Sequence, residues 1–369
     1  MTWLLVVLLT AVLVWAVARF GLQGEDLGRF DVPRAPPVSP REQPSPEHRV
    51  VVASLAQILG EPGAKAPRRA RLATMRRQMD RLSDSADLRG IRIDAVQAGD
   101  VPAEWVRGPD SDPARRLLYI HGGAFTMGSP RSHRVVTAQL ARITGCSVLA
   151  IDYRLMPEHS RRMGIDDCRA AYRWMLEHGP DGATPAHTVF VAGDSAGGNL
   201  TLMLIAWARD EGIRQADAAV ALSPSTDGTM SSASLTGNIA SDPLLGPAFS
   251  AMLRIPRALL LWGAWLSNRI NPRDPVISPV YGDLSGLPPV LVQASEAEML
   301  IDDARRWVNK ARAAGSPATL ETWPHMVHVW QAFGPALPES EEAYTRIARF
   351  LAAHAGVNAG SPPQSTAAG

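Results

Sequence analysis

Cysteine is nearly absent: the 369 residues hold two, Cys146 and Cys168, each inside an apolar segment, one read as a strand and the other as a helix. Two such residues define neither a disulfide framework nor a metal site, and they leave the redox compartment open. Charge of one sign is missing too. Thirty-seven Lys plus Arg nearly cancel 36 Asp plus Glu, so no overall field draws in nucleic acid. The basic run PRRARLATMRR, Pro67 to Arg77, has apolar residues interleaved at helical spacing and reads as a solvated helix face. No internal repeat is apparent, and the length suits one main domain with additions.

Charge is missing altogether near the amino terminus. MTWLLVVLLTAVLVWAVARF has none from Trp3 to Ala18 and carries tryptophans near both ends. That stretch makes roughly 24 Å of helix at about 1.5 Å per residue, and Phe20 and Leu22 extend it toward a hydrocarbon core. Residues 1–22 are therefore expected to be a membrane anchor. A secretory signal competes, because Ala16-Val17-Ala18 fits a small-x-small cleavage site, although no Lys or Arg precedes the apolar run. Arg19, Arg29 and Arg34 come after it, which by the positive-inside tendency leaves the remaining chain in the cytoplasm. Export after cleavage is the alternative.

Beyond residue 22 the chain divides into a linker, a domain and a tail. Residues 23–48 include DVPRAPPVSPREQPSPEH, dense in proline and expected to be an extended spacer. The folded domain is expected over 49–356, and the small, polar tail 357–369 is expected to be disordered. Within the domain, short apolar runs alternate with amphipathic stretches, so the fold class is α/β with a mostly parallel central sheet flanked by helices. Strands are expected in IRIDAVQ, VPAEWVR, RRLLYI, CSVLAIDYRL, HTVFVAGDS, AAVALSPSTD, PPVLVQASEAE and ATLETWP. Two regions break the alternation, about 49–88 and about 229–275, and both are expected to form a helical cap. More core or a homodimer face is the competing reading of the second.

The motif that carries chemistry is GDSAGG. Gly193, Asp194, Ser195, Ala196 and Gly197 match G-x-S-x-G where strand gives way to helix, the context of a nucleophile elbow. The glycines let strand and helix approach around a serine in a strained backbone conformation. Acyl transfer also needs donors for an oxyanion, and YIHGGAFTMGS offers a glycine-rich turn at the end of a central strand. His121-Gly122-Gly123-Ala124, DYRLMPEH (Asp152 to His159) and GDSAGGN together resemble the hormone-sensitive-lipase-like esterases, bacterial family IV of the α/β-hydrolase superfamily. The likeness runs from roughly residue 70 to 352 and includes SPSTD, SDPLL, LSGLPPVLVQ and LIDDARRW.

The resemblance implies roles. Backbone amides of Gly123 and Ala124 would join that of Ala196 in the oxyanion hole. Ala124 stands where many members have a third glycine; its amide survives, while its methyl narrows the site. His121, and the group Asp152, Tyr153, Arg154 and Glu158, would be structural, the latter a buried polar brace, and Asp194 is the variable position of the elbow. The order serine, acid, histidine places the base among His325, His328 and His354. His354 falls in the closing helix, and the family's loop histidine followed by an aromatic within two residues fits His328. Glu296, Glu298, Asp302 and Asp303 compete for the acid. Aligning Leu300 and Asp302-Asp303 with relatives selects Glu298, thirty residues before His328, with Glu296 in reserve and the two aspartates as helix-start carboxylates.

The function implied is a serine ester hydrolase for short to medium acyl esters, lactones or acetylated small molecules, needing no cofactor and no metal. Two alternatives stand beside it: a membrane-associated lipase using the Trp- and Leu-rich 258–270 segment, and a catalytically silent small-molecule receptor.

Overall fold

The computed structural model describes residues 2–39, 41, 43–60 and 67–356. The expected tail, and residues 61–66 of the first cap region, lie outside the described residues.

Eight strands form one sheet: β1 (Arg92–Ala98), β2 (Val101–Arg107), β3 (Asp112–Ile120), β4 (Cys146–Ile151), β5 (Thr188–Asp194), β6 (Ala218–Leu222), β7 (Val290–Ser295) and β8 (Ala318–Trp323), in the order β1-β2-β4-β3-β5-β6-β7-β8. The β1–β2 and β2–β4 pairs are antiparallel and the other pairs parallel. Every residue of β4, β5, β6 and β7 is buried. That is why these strands read as unbroken apolar runs, whereas β1 at the edge mixes exposed and covered positions.

Helices fill both faces. In chain order they are α1 (Thr2–Val17), α2 (Pro46–Gly60), α3 (Arg68–Asp80), α4 (Arg134–Thr144), α5 (Arg161–Glu177), α6 (Ala196–Asp210), α7 (Ser234–Gly237), α8 (Leu245–Leu253), α9 (Arg257–Asn268), α10 (Ile301–Ala313) and α11 (Pro338–Ala353). Strand alternation sorts the core. Leu118, Ile120, Leu149 and Val191 face Cys168 and Tyr172 of α5 and Leu200 and Leu204 of α6. Their neighbours Leu117, Tyr119, Val148 and Phe190 face the other way, onto Val136 and Leu140 of α4 and Tyr344, Ile347 and Leu351 of α11. Helix α10 is amphipathic, with Asp302 and Asp303 in its first turn and Lys310 and Arg312 in its last, each sign at the dipole end that favours it.

Additional helices form a cap, and both irregular regions hold helices outside the strand–helix alternation. Val51 and Leu55 of α2 pack on Trp323, Val327 and Trp330. Arg76 of α3 donates to the carbonyls of Thr126 and Met156 and pairs with Glu158. Between β6 and β7, Asn238 donates to the Glu296 and Glu298 carbonyls, and Asp242 accepts from the Met299 amide. Each contact is to a loop that leaves the carboxyl end of a strand, the edge where open α/β sheets place their sites.

Described residues of the proline-rich segment, expected to be a spacer, make contacts with the domain. Asp31 pairs with the buried guanidinium of Arg306, Asn309 Nδ2 donates to the Phe30 carbonyl at 2.8 Å, and the Val38 amide donates to the Thr322 carbonyl at 2.9 Å along β8. Leu27 and Phe30 are buried against the domain as well, and sequence hydropathy does not show which distant surface receives a segment.

Candidate active site

The turn from β5 into α6 holds Ser195 at φ 52°, ψ −114°, a region costly for a side chain and kept only where the surroundings over-determine it. They do so here: the Ser195 amide donates to the Leu222 carbonyl at 2.7 Å, and its own carbonyl accepts from the Asn199 amide at 3.0 Å. A Cβ at Gly197 would collide with the Ile120 carbonyl oxygen, so glycine there is what lets α6 start against β3. Ala196 opens α6, where amides have no partner inside the helix and the dipole is positive.

His328 arrives from the loop after β8. Its Nε2 stands 2.9 Å from Ser195 Oγ and its Nδ1 2.7 Å from Glu298 Oε2. The imidazole thus accepts from the hydroxyl and donates to the carboxylate. Glu298 is fully buried, and its other oxygen accepts from the Ser295 amide at 2.9 Å, which fixes the carboxylate at the end of β7. The loop bearing His328 is pinned on both sides of it: the Val327 amide donates to His48 Nε2 at 3.0 Å, and the Val329 amide to Ser223 Oγ at 3.3 Å. Burial works to lower the His328 pKa, but the hydrogen bond and charge of Glu298 overcome it, leaving the imidazole above its ordinary 6.5.

After β3 the chain turns through Gly123, Ala124 and Phe125 at φ 111°, 52° and 60°. The Gly123 carbonyl accepts from the amides of Thr126 and Met127, closing a tight turn. Tyr153 stacks on His121 at 4.4 Å and donates to its carbonyl. Burial, and the neighbouring His133, push the His121 pKa down to about 3, so the ring is a neutral prop.

The structure thus brings Ser195, His328 and Glu298 together, with Ala196 next to the serine at the start of α6. It separates the competitors. Glu296 pairs with Arg305. Asp303 accepts from the amides of Thr226 and Asp227, and Asp302 from that of Ser234. His325 is exposed, and His354 Nδ1 bonds the Phe350 carbonyl at the end of α11. The expected buried brace is corrected: only Tyr153 of that group is buried, while Arg154 pairs with Asp167 and Glu158 with Arg76 at the surface. Their charges are stabilised by partners and water together, so they need no burial.

Asp194 is the residue whose part was missed. Its Oδ1 accepts from Tyr119 Oη at 2.6 Å and from the Gly122 amide at 3.0 Å, and it pairs with His133 Nε2 at 3.4 Å. One buried carboxylate therefore ties the elbow to the glycine turn. A carboxylate inside an otherwise apolar strand end, in a chain rich in surface Asp, was the only signal available.

Residues 117–332 match the family described as the alpha/beta hydrolase fold. The chain is 42% identical over 258 residues to an acetyl-hydrolase of Streptomyces hygroscopicus, covering 70% of this chain and 82% of that one. It is 32% identical over 267 residues to an esterase of Acinetobacter venetianus, covering 72% and 82%. Among solved structures it is similar to an esterase from the bacterial hormone-sensitive lipase family, with TM-score 0.73 and 36% identity over 85% of this chain and 99% of that one.

Proposed function

Since the chain belongs to the bacterial hormone-sensitive-lipase family of the α/β-hydrolase superfamily and is a serine carboxylesterase, we propose that Ser195, His328 and Glu298 are its catalytic triad. The amides of Gly123, Ala124 and Ala196 are its oxyanion hole. The observation that supports this most is the imidazole of His328 bonded at one nitrogen to the Ser195 hydroxyl and at the other to a buried carboxylate.

The reaction is set by those bonds. His328 Nε2 takes the hydroxyl proton as Ser195 Oγ attacks the ester carbonyl, and Glu298 stabilises the imidazolium. Charge that develops on the carbonyl oxygen is met by the three amides. His328 then returns the proton to the departing alcohol, leaving an acyl-serine. A water, deprotonated by the same nitrogen, attacks the acyl carbon and frees the acid and the serine. Substrates are short to medium acyl esters, lactones or acetylated small molecules, a range supported by the acetyl-hydrolase relative and by the Ala124 methyl beside the acyl carbonyl.

Replacing Ser195 by Ala is expected to lower hydrolysis of p-nitrophenyl butyrate by a factor on the order of 10⁶ while the circular dichroism spectrum is unchanged. Undiminished turnover would remove Ser195 from the mechanism. A series of acyl chain lengths then defines the pocket.

Helix α1 anchors this enzyme at the membrane with the domain on the cytoplasmic face. The segment Trp3–Leu22 has mean hydropathy 2.3 and is 6% buried, and the arginines after the apolar run support that orientation. A membrane-associated lipase is the second reading, and the exposed anchor favours it over a silent receptor.

A further inference from the structure

Helix α1 is apolar on all sides and almost wholly uncovered, with Trp3, Leu4 and Leu13 each more than 60% exposed. Its last turns and the five residues after it are different. Ala18 and Leu22 are buried with Leu261 against Ala258, Trp262 and Trp265 of α9. The Trp262 indole donates to the Val14 carbonyl at 3.0 Å, and Asn271 Nδ2 donates to the Gly21 carbonyl at 2.9 Å. The apolar helix is thus docked, through its carboxyl end alone, on the cap.

Helix α9 has a second face. Leu259 and Leu266, seven positions apart and so on one side of the helix, are 53% and 50% exposed, and Ile255 just ahead of the helix is 45% exposed. Exposed arginines flank it: Arg254 before its first turn and Arg269 at its end, with Arg19 exposed where α1 ends. A protein groove covers one stripe of a helix. One that is apolar all round calls for an apolar surrounding on every side. A helix apolar on one face and arginine-flanked at its ends suits the boundary between acyl chains and phosphates.

We propose that α1 is retained as a membrane helix and that α9 lies beside it in the headgroup layer. The cap of the esterase is then itself seated on the bilayer, and the substrates are esters dissolved in that bilayer. This rests on the anchoring reading above and adds to it a second contact surface and a substrate class. Cleavage after Ala18 would remove the acceptor of the Trp262 indole and the side chain covering Leu261, so the docking argues for retention.

The test uses the full chain reconstituted into phosphatidylcholine vesicles with and without phosphatidylglycerol. An environment-sensitive fluorophore is placed on L266C or, as a reference, on L8C; both native cysteines are buried and do not compete. The expected result is quenching of both labels by lipid-borne nitroxide, shallow for 266 and deep for 8, with the 266 signal strengthened by phosphatidylglycerol and the intact mass including residues 1–22. Quenching of the 266 label by aqueous iodide alone, self-quenching between copies, or a mass lacking the first 18 residues would overturn the proposal.

Activity separates the two readings. The double variant L259D/L266D is expected to lose several-fold in hydrolysis of a vesicle-borne ester and nothing on soluble p-nitrophenyl butyrate. Equal loss on both, or on neither, overturns the bilayer contact. Turnover persisting in S195A would instead overturn the catalytic assignment and leave the membrane result standing.

Discussion

Two carboxylates two residues apart have different partners. Glu298 is reached by His328 Nδ1 and by the Ser295 amide, whereas Glu296 faces Arg305. Replacing Glu298 by Gln should therefore cost about 10⁴ in kcat, as loss of the orienting acid does in a serine triad, while Glu296→Ala costs little; a larger loss at position 296 would exchange their roles. The proposed base, His328, must be neutral to accept the hydroxyl proton, and Glu298 raises its pKa above 6.5. The acid limb of kcat/KM is expected above pH 6.5 in the native enzyme and lower in Glu298→Gln, measured as a rate profile. Ala124 sits at φ 52°, a conformation costing a side chain about 1–2 kcal/mol. Ala124→Gly removes that strain and the methyl together. Its expected signature is a higher kcat/KM for bulkier esters relative to an acetate, with little change in melting temperature because glycine also loosens the unfolded chain.

At the scale of elements, the site depends on how closely α6 approaches β3. A methyl at position 197 meets the Ile120 carbonyl oxygen and, at 2.7 Å, that of His121. Neither backbone carbonyl can yield, since both belong to the central strand and its turn. Gly197→Ala is expected to destabilise by about 3 kcal/mol or more, read as a lowered denaturation midpoint. The loops after β7 and β8 are held by more distant parts of the chain, Asp242 and Asn238 from the segment between β6 and β7 and His48 from the head of α2. These bonds link segments far apart in the chain; Asp242 lies in the SDPLL motif, but its partner was not visible from the sequence.

For the whole molecule, buried histidines contribute to the pH dependence of stability, opposed below pH 7 by Asp303, whose carboxyl is raised to about 7 chiefly by burial. His121 is held down at about 3 and His48 is also lowered, each chiefly by burial. Below about pH 6.5 the unfolded chain binds protons that the folded one refuses, so stability falls by about 1.4 kcal/mol per pH unit for each such group until its folded value is reached. His133 and His328 are raised; burial lowers them, and the charges of Asp194 and Glu298 more than compensate. Their contributions are complete below 6.5 and are lost as pH rises through the raised values. The histidine contribution to the melting temperature is thus expected to be greatest near pH 6.5 and to decline on both sides. In Asp194→Asn the alkaline decline should flatten, which a scan of melting temperature against pH would show; an unchanged flank would mean that the His133–Asp194 pair does not set it.

The amino-acid order by itself determined the strands, the helices and the elbow, because apolar periodicity and the steric need for glycine around Ser195 are local properties. His328 and Glu298 were singled out only with the help of the family resemblance, and the structure shows them hydrogen-bonded to each other. Only the tertiary structure decided what Asp194 does, that the proline-rich segment makes contacts with the domain, and that α1 is docked on α9. Those outcomes depend on hydrogen bonds, ion pairs and packing between segments far apart in the chain, and such contacts exist only once the sheet has brought the segments together.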